Sequence, residues 1–171
     1  MKVLFVGGYY MKFYIKQKVF TFKDQFSIMD EQQNVQYQIK GKFLSLRNKL
    51  VLIDHKGLAL LRAERKLFRF LPKYFVYDTK NQVIAEVKRI FSLRPKFDLR
   101  IPYKDYHVDG SFFAHSFNIY DNTNNLVASI SKKIISWGDT YEIEIIEEEK
   151  LELLLFLVII IDQVVHERHN R

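Results

Sequence analysis

Cationic side chains interleaved with aromatic ones are the residues of this chain whose types and spacing could do chemistry. Arg62, Arg65, Lys66, Arg69 and Lys73 alternate with Phe68, Phe70 and Tyr74. Lys88, Arg89, Arg94, Lys96 and Arg100 follow around Phe91 and Phe97. Such a mixture suits an anionic membrane surface, where each Lys or Arg contributes about 1 kcal/mol. It also suits stacking on single-stranded nucleic acid. The plainer alternative turns the aromatics inward and leaves the cations to coat strand faces.

Charge along the chain supports an anionic partner. Residues 1–140 hold 24 Lys and Arg against 12 Asp and Glu, a balance of +12. Residues 141–171 hold 3 against 8, a balance of −5. Basic bodies favour lipid headgroups or nucleic acid. There is no Cys, which excludes disulfides, thiolate nucleophiles and zinc–cysteine sites. His55, His107, His115, His166 and His169 are too scattered to nominate a metal site. Asp162 closes an apolar run and is expected to emerge at the edge of the core, accepting hydrogen bonds there. The chain carries no nucleophile elbow, phosphate loop, dinucleotide fingerprint or carboxylate pair. Neither catalysis nor a cofactor is expected.

The elements that must position these residues repeat every second residue. Phe13 and Ile15, then Val35, Tyr37 and Ile39, alternate with polar neighbours. So do Phe97, Leu99 and Ile101, and Tyr141, Ile143 and Ile145. Strands with one wet and one dry face belong to antiparallel sheets. Asp30, Asp54, Asp78 and Asp121 each end such a strand, and a short polar turn and a second strand follow. Asp in that place bonds the backbone ahead of it and starts the turn. Residues 97–101 and 106–112 supply a further strand pair between the third and fourth hairpins.

A different pattern closes the chain. Glu147–Glu167 reads EEEKLELLLFLVIIIDQVVHE, and Leu153 to Ile161 hold no polar residue. That run is far short of the ~20 apolar residues needed to span a bilayer. Acidic residues open the stretch, and His166, Arg168 and His169 close it, as the helix dipole prefers. The expectation is a helix of about 20 residues, roughly 30 Å long, buried all round because it is apolar all round. Ten or more strands in one sheet curl or close. A barrel that size is too wide to be filled by strand side chains alone. The expected architecture is mainly β, an antiparallel barrel threaded by its own C-terminal helix. The first ten residues, MKVLFVGGYY, are read as an N-terminal extension, with residues 11–171 as one domain.

The ordered set of strand–Asp–turn–strand units resembles the LURP-one-related family, which shares its fold with tubby C-terminal domains and phospholipid scramblases. The likeness begins with FYIKQKVFTFKDQFSIMDEQQNVQYQIKGKFLSLRNKLVLIDHKG at Phe13–Gly57. It continues through Asp78 and Asp121 and ends with LLLFLVIIID at Asp162. It spans Met11 to Glu167 and is that of a bacterial member. The resemblance implies a closed barrel of about twelve strands around a central helix, and it implies no activity. Tubby domains bind phosphoinositides through surface cations, but that site does not align onto individual residues here. Scramblase features are missing: a Pro-rich arm, a Cys to acylate and an acidic calcium loop.

The leading functional reading is a non-enzymatic, peripheral binder of anionic phospholipid, cytoplasmic and acting at the inner face of the membrane. Its expected contact residues are Arg62, Arg65, Lys66, Arg69, Lys73, Lys88, Arg89, Arg94 and Lys96. The alternative is a structural or protein-interaction domain, with nucleic-acid binding ranked below both. No transmembrane segment and no bound metal are expected.

Overall fold

A computed structural model of the chain describes residues 2–5, 8–17, 25–42, 49–66, 71–91, 96–101, 104–111, 116–135, 138–146 and 150–166. Among the described residues thirteen strands precede one helix. They are β1 (Lys2–Phe5), β2 (Gly8–Gln17), β3 (Gln25–Met29), β4 (Val35–Lys42) and β5 (Lys49–Asp54). There follow β6 (Ala59–Arg65), β7 (Lys73–Tyr77), β8 (Val83–Ile90) and β9 (Lys96–Ile101). The last are β10 (Lys104–Ser111), β11 (Ser116–Asp121), β12 (Leu126–Ile135), β13 (Gly138–Ile145) and α1 (Leu151–His166).

Each strand from β3 to β13 pairs antiparallel with its neighbour in sequence, and β2 closes the sheet into a barrel of 12 strands. One edge of β2 meets β13, with Phe13 opposite Ile143, and the other meets β3, with Ile15 opposite Ile28. Because the chain runs up and down, the β3–β4, β5–β6, β7–β8, β9–β10 and β11–β12 connections all lie at one end of the barrel. The β13–α1 link lies there too, so the helix enters at this aspartate end and runs toward the other.

Residues 2–5 and 8–10 form strand structure that joins the sheet. β1 pairs with β2 from Lys2 opposite Met11 to Phe5 opposite Gly8, and β2 itself begins at Gly8. The expected boundary after Tyr10 therefore falls inside a strand. The cause is unequal length. β2 has 10 residues and β3 only 5, so β3 leaves the first part of that edge uncovered. Uncovered strand edges invite pairing, and β1 supplies it.

The four Asp hairpins share one construction. Asp30 Oδ1 accepts the N–H groups of Gln32 and Asn34, both at 2.9 Å. Asp54 does the same for Lys56 and Leu58, and Asp78 for Lys80 and Gln82. Asp121 takes Thr123 and Asn125, and adds the Thr123 hydroxyl at 2.7 Å. In each turn the fourth residue donates its N–H to the Asp carbonyl and adopts positive φ: Gln33 at 65°, Gly57 at 87°, Asn81 at 63° and Asn124 at 61°. A strand register shift accompanies every one. This is a type I turn closed by a left-handed residue and a bulge.

Inside, α1 is the core. Leu154 to Ile161 are buried without interruption, packed against inward residues such as Ile28, Ile39, Leu52, Val76, Leu99 and Ile119. Each such side chain contributes about 1.5–3 kcal/mol on burial. Among the described residues the helix has 16 residues, roughly 24 Å at the standard rise. Glu152 is the acid of its first turn, while Glu147, Glu148, Glu149, Glu167, Arg168 and His169 lie outside the described residues. The first turn is anchored by the Tyr37 hydroxyl, which donates to Glu152 Oε1 at 3.1 Å. Burial and the neighbouring Glu152 carboxylate push that phenol well above its ordinary value.

Ile159 is fully enclosed, so Ile159→Ala should cost about 2–5 kcal/mol in urea unfolding, the range for a large-to-small core change. The hairpins add a pH dependence. The Thr123 hydroxyl and the Thr123 and Asn125 N–H groups hold the Asp121 carboxyl well below its ordinary value. Partial burial raises Asp30, but bonds from Asn34, Gln36 and Gln32 outweigh it and hold that carboxyl low as well. Groups lowered by folding stabilise fully above the unfolded carboxyl value and lose that contribution as pH falls below it. The melting temperature should therefore begin to drop as pH falls through about 4 and keep dropping below that. Asp121→Ala should melt lower at neutral pH and show a shallower acid drop.

Candidate functional site

Alternation decides which cations of the two basic–aromatic stretches reach the surface. Adjacent strand residues point to opposite faces, so the outer wall of β6 to β9 is built in cross-strand rows. One row runs Lys49, Glu64, Phe75, Glu86, Arg100 and Asp105 across six strands. The next runs Lys73, Lys88, Asp98, His107 and Tyr120. Lys66 extends it, donating its backbone N–H to the Lys73 carbonyl at 2.8 Å. Two lysines directly opposite one another, Lys73 and Lys88, repel. Glu86 relieves that repulsion, since its carboxylate ion-pairs with Lys73.

Much of the wall charge is neutralised in place. Lys49 Nζ lies 2.9 Å from Glu64 Oε1, and Arg62 also pairs with Glu64. The hydrogen bond from Lys49 and the adjacent Arg62 guanidinium lower the Glu64 carboxyl. Arg62 further bonds Asn81 and lies 4.2 Å from the Tyr77 ring centre, so it braces the neighbouring hairpin. Lys73 Nζ sits 2.6 Å from Glu86 Oε2 and 4.8 Å from the Phe75 ring centre, which Lys66 Nζ also approaches at 5.7 Å.

The picture changes at the barrel end opposite the aspartates. There the β6–β7 and β8–β9 connections are neighbours, laced by the Arg89 N–H donating to the Pro72 carbonyl at 3.1 Å. Lys66, Lys88 and Lys96 are exposed at this end, and Phe91, just beyond β8, is 82% exposed. Among the described residues Lys88 and Lys96 have no acidic side chain in ion-pair contact.

The expected contact residues therefore separate. Lys66, Lys88 and Lys96 gather with Lys73 at one end, while Arg62 belongs to the wall. Arg65 is half-buried at the close of β6. Arg89 is a correction: at 6% exposure it follows Ala85 and Val87 on the inner side of β8 and is withdrawn from any surface. Its adjacency to Lys88 was the signal, since the two cannot share a face. Arg69, Arg94, Phe68 and Phe70 lie outside the described residues. Tyr74 and Phe97 are core, as the plainer alternative expected, while Phe91 and Phe75 face outward.

His107 stacks on Tyr120 with ring centres 5.4 Å apart, and no group of metal-ligating side chains occurs among the described residues. Asp162 is half-buried beside a narrow, mainly apolar cavity lined by Ile15, Phe26, Phe117, Ile130, Tyr141 and the far half of α1. The cavity holds about one water molecule, too little for a substrate. No described helix is long and apolar enough to cross a membrane.

Comparison with known proteins follows this geometry closely. The family model described as LURP-one-related matches residues 11–162. The Bacillus subtilis (strain 168) protein YxjI is 32% identical, over 91% of this chain and 94% of its own. Protein LURP-one-related 10 of Arabidopsis thaliana is 22% identical over 94% of this chain and 93% of its own. An X-ray structure of an Arabidopsis thaliana protein superposes with a TM-score of 0.68 at 21% identity, covering 91% of each chain, and so shares the fold. With its barrel, its threaded helix and a family match over nearly its whole length, this chain belongs to the LURP-one-related family.

Proposed function

We propose that the protein binds anionic phospholipid surfaces peripherally, with the β6–β7 and β8–β9 end of the barrel against the headgroups. The observation that carries this reading is Phe91, 82% exposed on the connection that joins Lys88 to Lys96. A large exposed aromatic is costly in water and suited to the headgroup boundary, where it adds apolar burial to cationic attraction. Lys66 on the adjoining connection supplies further positive charge, while Lys73 beside it is paired with Glu86. On the wall, by contrast, Glu64 and Glu86 take up the cations, so attraction is concentrated at the end. Nucleic acid is a poorer fit, because Tyr74 and Phe97 are turned into the core and offer no stacking platform. The reading involves no catalytic step and no cofactor, and places the protein at the cytoplasmic face of a membrane.

Vesicle co-sedimentation tests it. The protein should pellet with vesicles containing phosphatidylserine, ignore pure phosphatidylcholine, and release as salt rises, since screening shortens the reach of charge to about 8 Å at 0.15 M. Replacing Lys66, Lys88 and Lys96 with Glu removes three cations from the surface, worth about 3 kcal/mol, over a hundredfold in affinity. Phe91→Ala should weaken binding roughly tenfold without altering the salt dependence. Equal pelleting with neutral and anionic vesicles, unchanged in both variants, would refute the reading in favour of an interaction domain.

A further inference from the structure

One acidic side chain stands among the exposed lysines of the basic end. Asp98 lies on the outer face of β9, with Lys88 directly opposite on β8 and His107 directly opposite on β10. Lys96 comes two residues earlier on the same strand and shares its face. Because Lys96 is opposite Ile90, it sits diagonal to Lys88. Lys88, Lys96 and Asp98 thus form a triangle with sides of roughly 5–8 Å. Phe91 follows Ile90 and stands at its edge.

The neighbours of this carboxylate are engaged elsewhere. Among the described residues no cation is in ion-pair contact with Asp98, although Lys88 faces it across the strand pair. His107 is stacked on Tyr120. Arg100, two residues further along β9, stands between Glu86 and Asp105 in the next row. Lys73 is held by Glu86 at 2.6 Å. Asp98 therefore differs from Glu64 and Glu86, whose charge is taken up by the wall.

Depth puts the triangle among headgroups. With Phe91 at the hydrocarbon boundary, Lys96 is level with Ile90, and Lys88 and Asp98 lie at most about 7 Å higher along the strands. The polar layer on each side of a bilayer is roughly 5–8 Å thick. A carboxylate in that layer is repelled by lipid phosphate unless the headgroup brings it a cationic donor. Lys88 and Lys96 suit the phosphate, and Asp98 suits an ammonium N–H. A choline nitrogen has no N–H to give, and a glycerol headgroup has no positive charge. Building on the peripheral reading above, we propose that this triangle is a headgroup site for aminophospholipid, with Lys88 and Lys96 on the phosphate and Asp98 on the primary ammonium.

Co-sedimentation of the full chain with vesicles matched in net charge tests the assignment. Phosphatidylserine and phosphatidylglycerol carry the same net charge at neutral pH, and only the first carries an ammonium. At equal fractions in phosphatidylcholine, the phosphatidylserine vesicles should bind about fivefold more tightly, as one charge-assisted hydrogen bond at a wet surface provides. Exchanging the phosphatidylcholine around phosphatidylglycerol for phosphatidylethanolamine should strengthen binding too. Asp98→Asn keeps the shape and removes the charge, and circular dichroism should show it folded. It should bind phosphatidylglycerol more tightly than the unaltered chain, because repulsion is gone, and lose the preference for phosphatidylserine. Asp105→Asn removes the same charge from an exposed position one strand away and should keep that preference. Equal binding to the two anionic vesicles overturns the assignment, as does a preference that survives Asp98→Asn or vanishes in Asp105→Asn. Each of those outcomes leaves the peripheral reading standing, whereas a chain that pellets with no anionic vesicle overturns both.

Discussion

A helix with no polar side has to be enclosed on every side, and most of this structure can be read as the enclosure. The buried run from Leu154 to Ile161 leaves no face for solvent, so the sheet must surround it. The converse holds with equal force. A closed barrel of 12 strands is too wide for its own inward side chains to fill, and without α1 it would be hollow. Barrel and helix are each unstable alone and mutually satisfied together. That constraint directs attention to the outside, to the strand faces and the two rims, because the cavity beside Asp162 is too small for a substrate.

The rims differ because their connections are made differently. At the aspartate end each turn is stabilised locally, with one carboxylate oxygen accepting two backbone N–H groups. Such turns are short, and each leaves an apolar side chain beside its bulge. At the opposite end the β6–β7 and β8–β9 connections carry the exposed lysines and Phe91. The acids on the wall between them, Glu64 and Glu86, serve neighbouring cations and neutralise the barrel's flank. On this flank Lys49, Arg62 and Lys73 are ion-paired, while Lys66, Lys88 and Lys96 lie exposed toward the end.

How much could be read beforehand depended on whether the signal was local. Asp followed by a polar turn is local chemistry, and the hairpins at Asp30, Asp54, Asp78 and Asp121 were legible for that reason. So was α1, whose apolar run admits one environment. The strand β1 was not, because its place depends on β3 being shorter than β2, a property of two other elements. The inward turn of Arg89 was legible in principle from alternation along β8 and was obscured by reading charge by stretch rather than by face. Pairing of Lys49 with Glu64 and of Lys73 with Glu86 required the cross-strand register, which only the folded sheet supplies.

The central claim is that α1 is the barrel's core and not a detachable segment, and native-state hydrogen exchange measures this most directly. The amides of Leu154 to Ile161 should exchange only when the whole molecule unfolds. Their free energy of opening and their denaturant slope should then match those of global unfolding. If those amides opened at lower free energy while β5 to β8 stayed protected, the barrel would stand without its helix, and the account would be wrong.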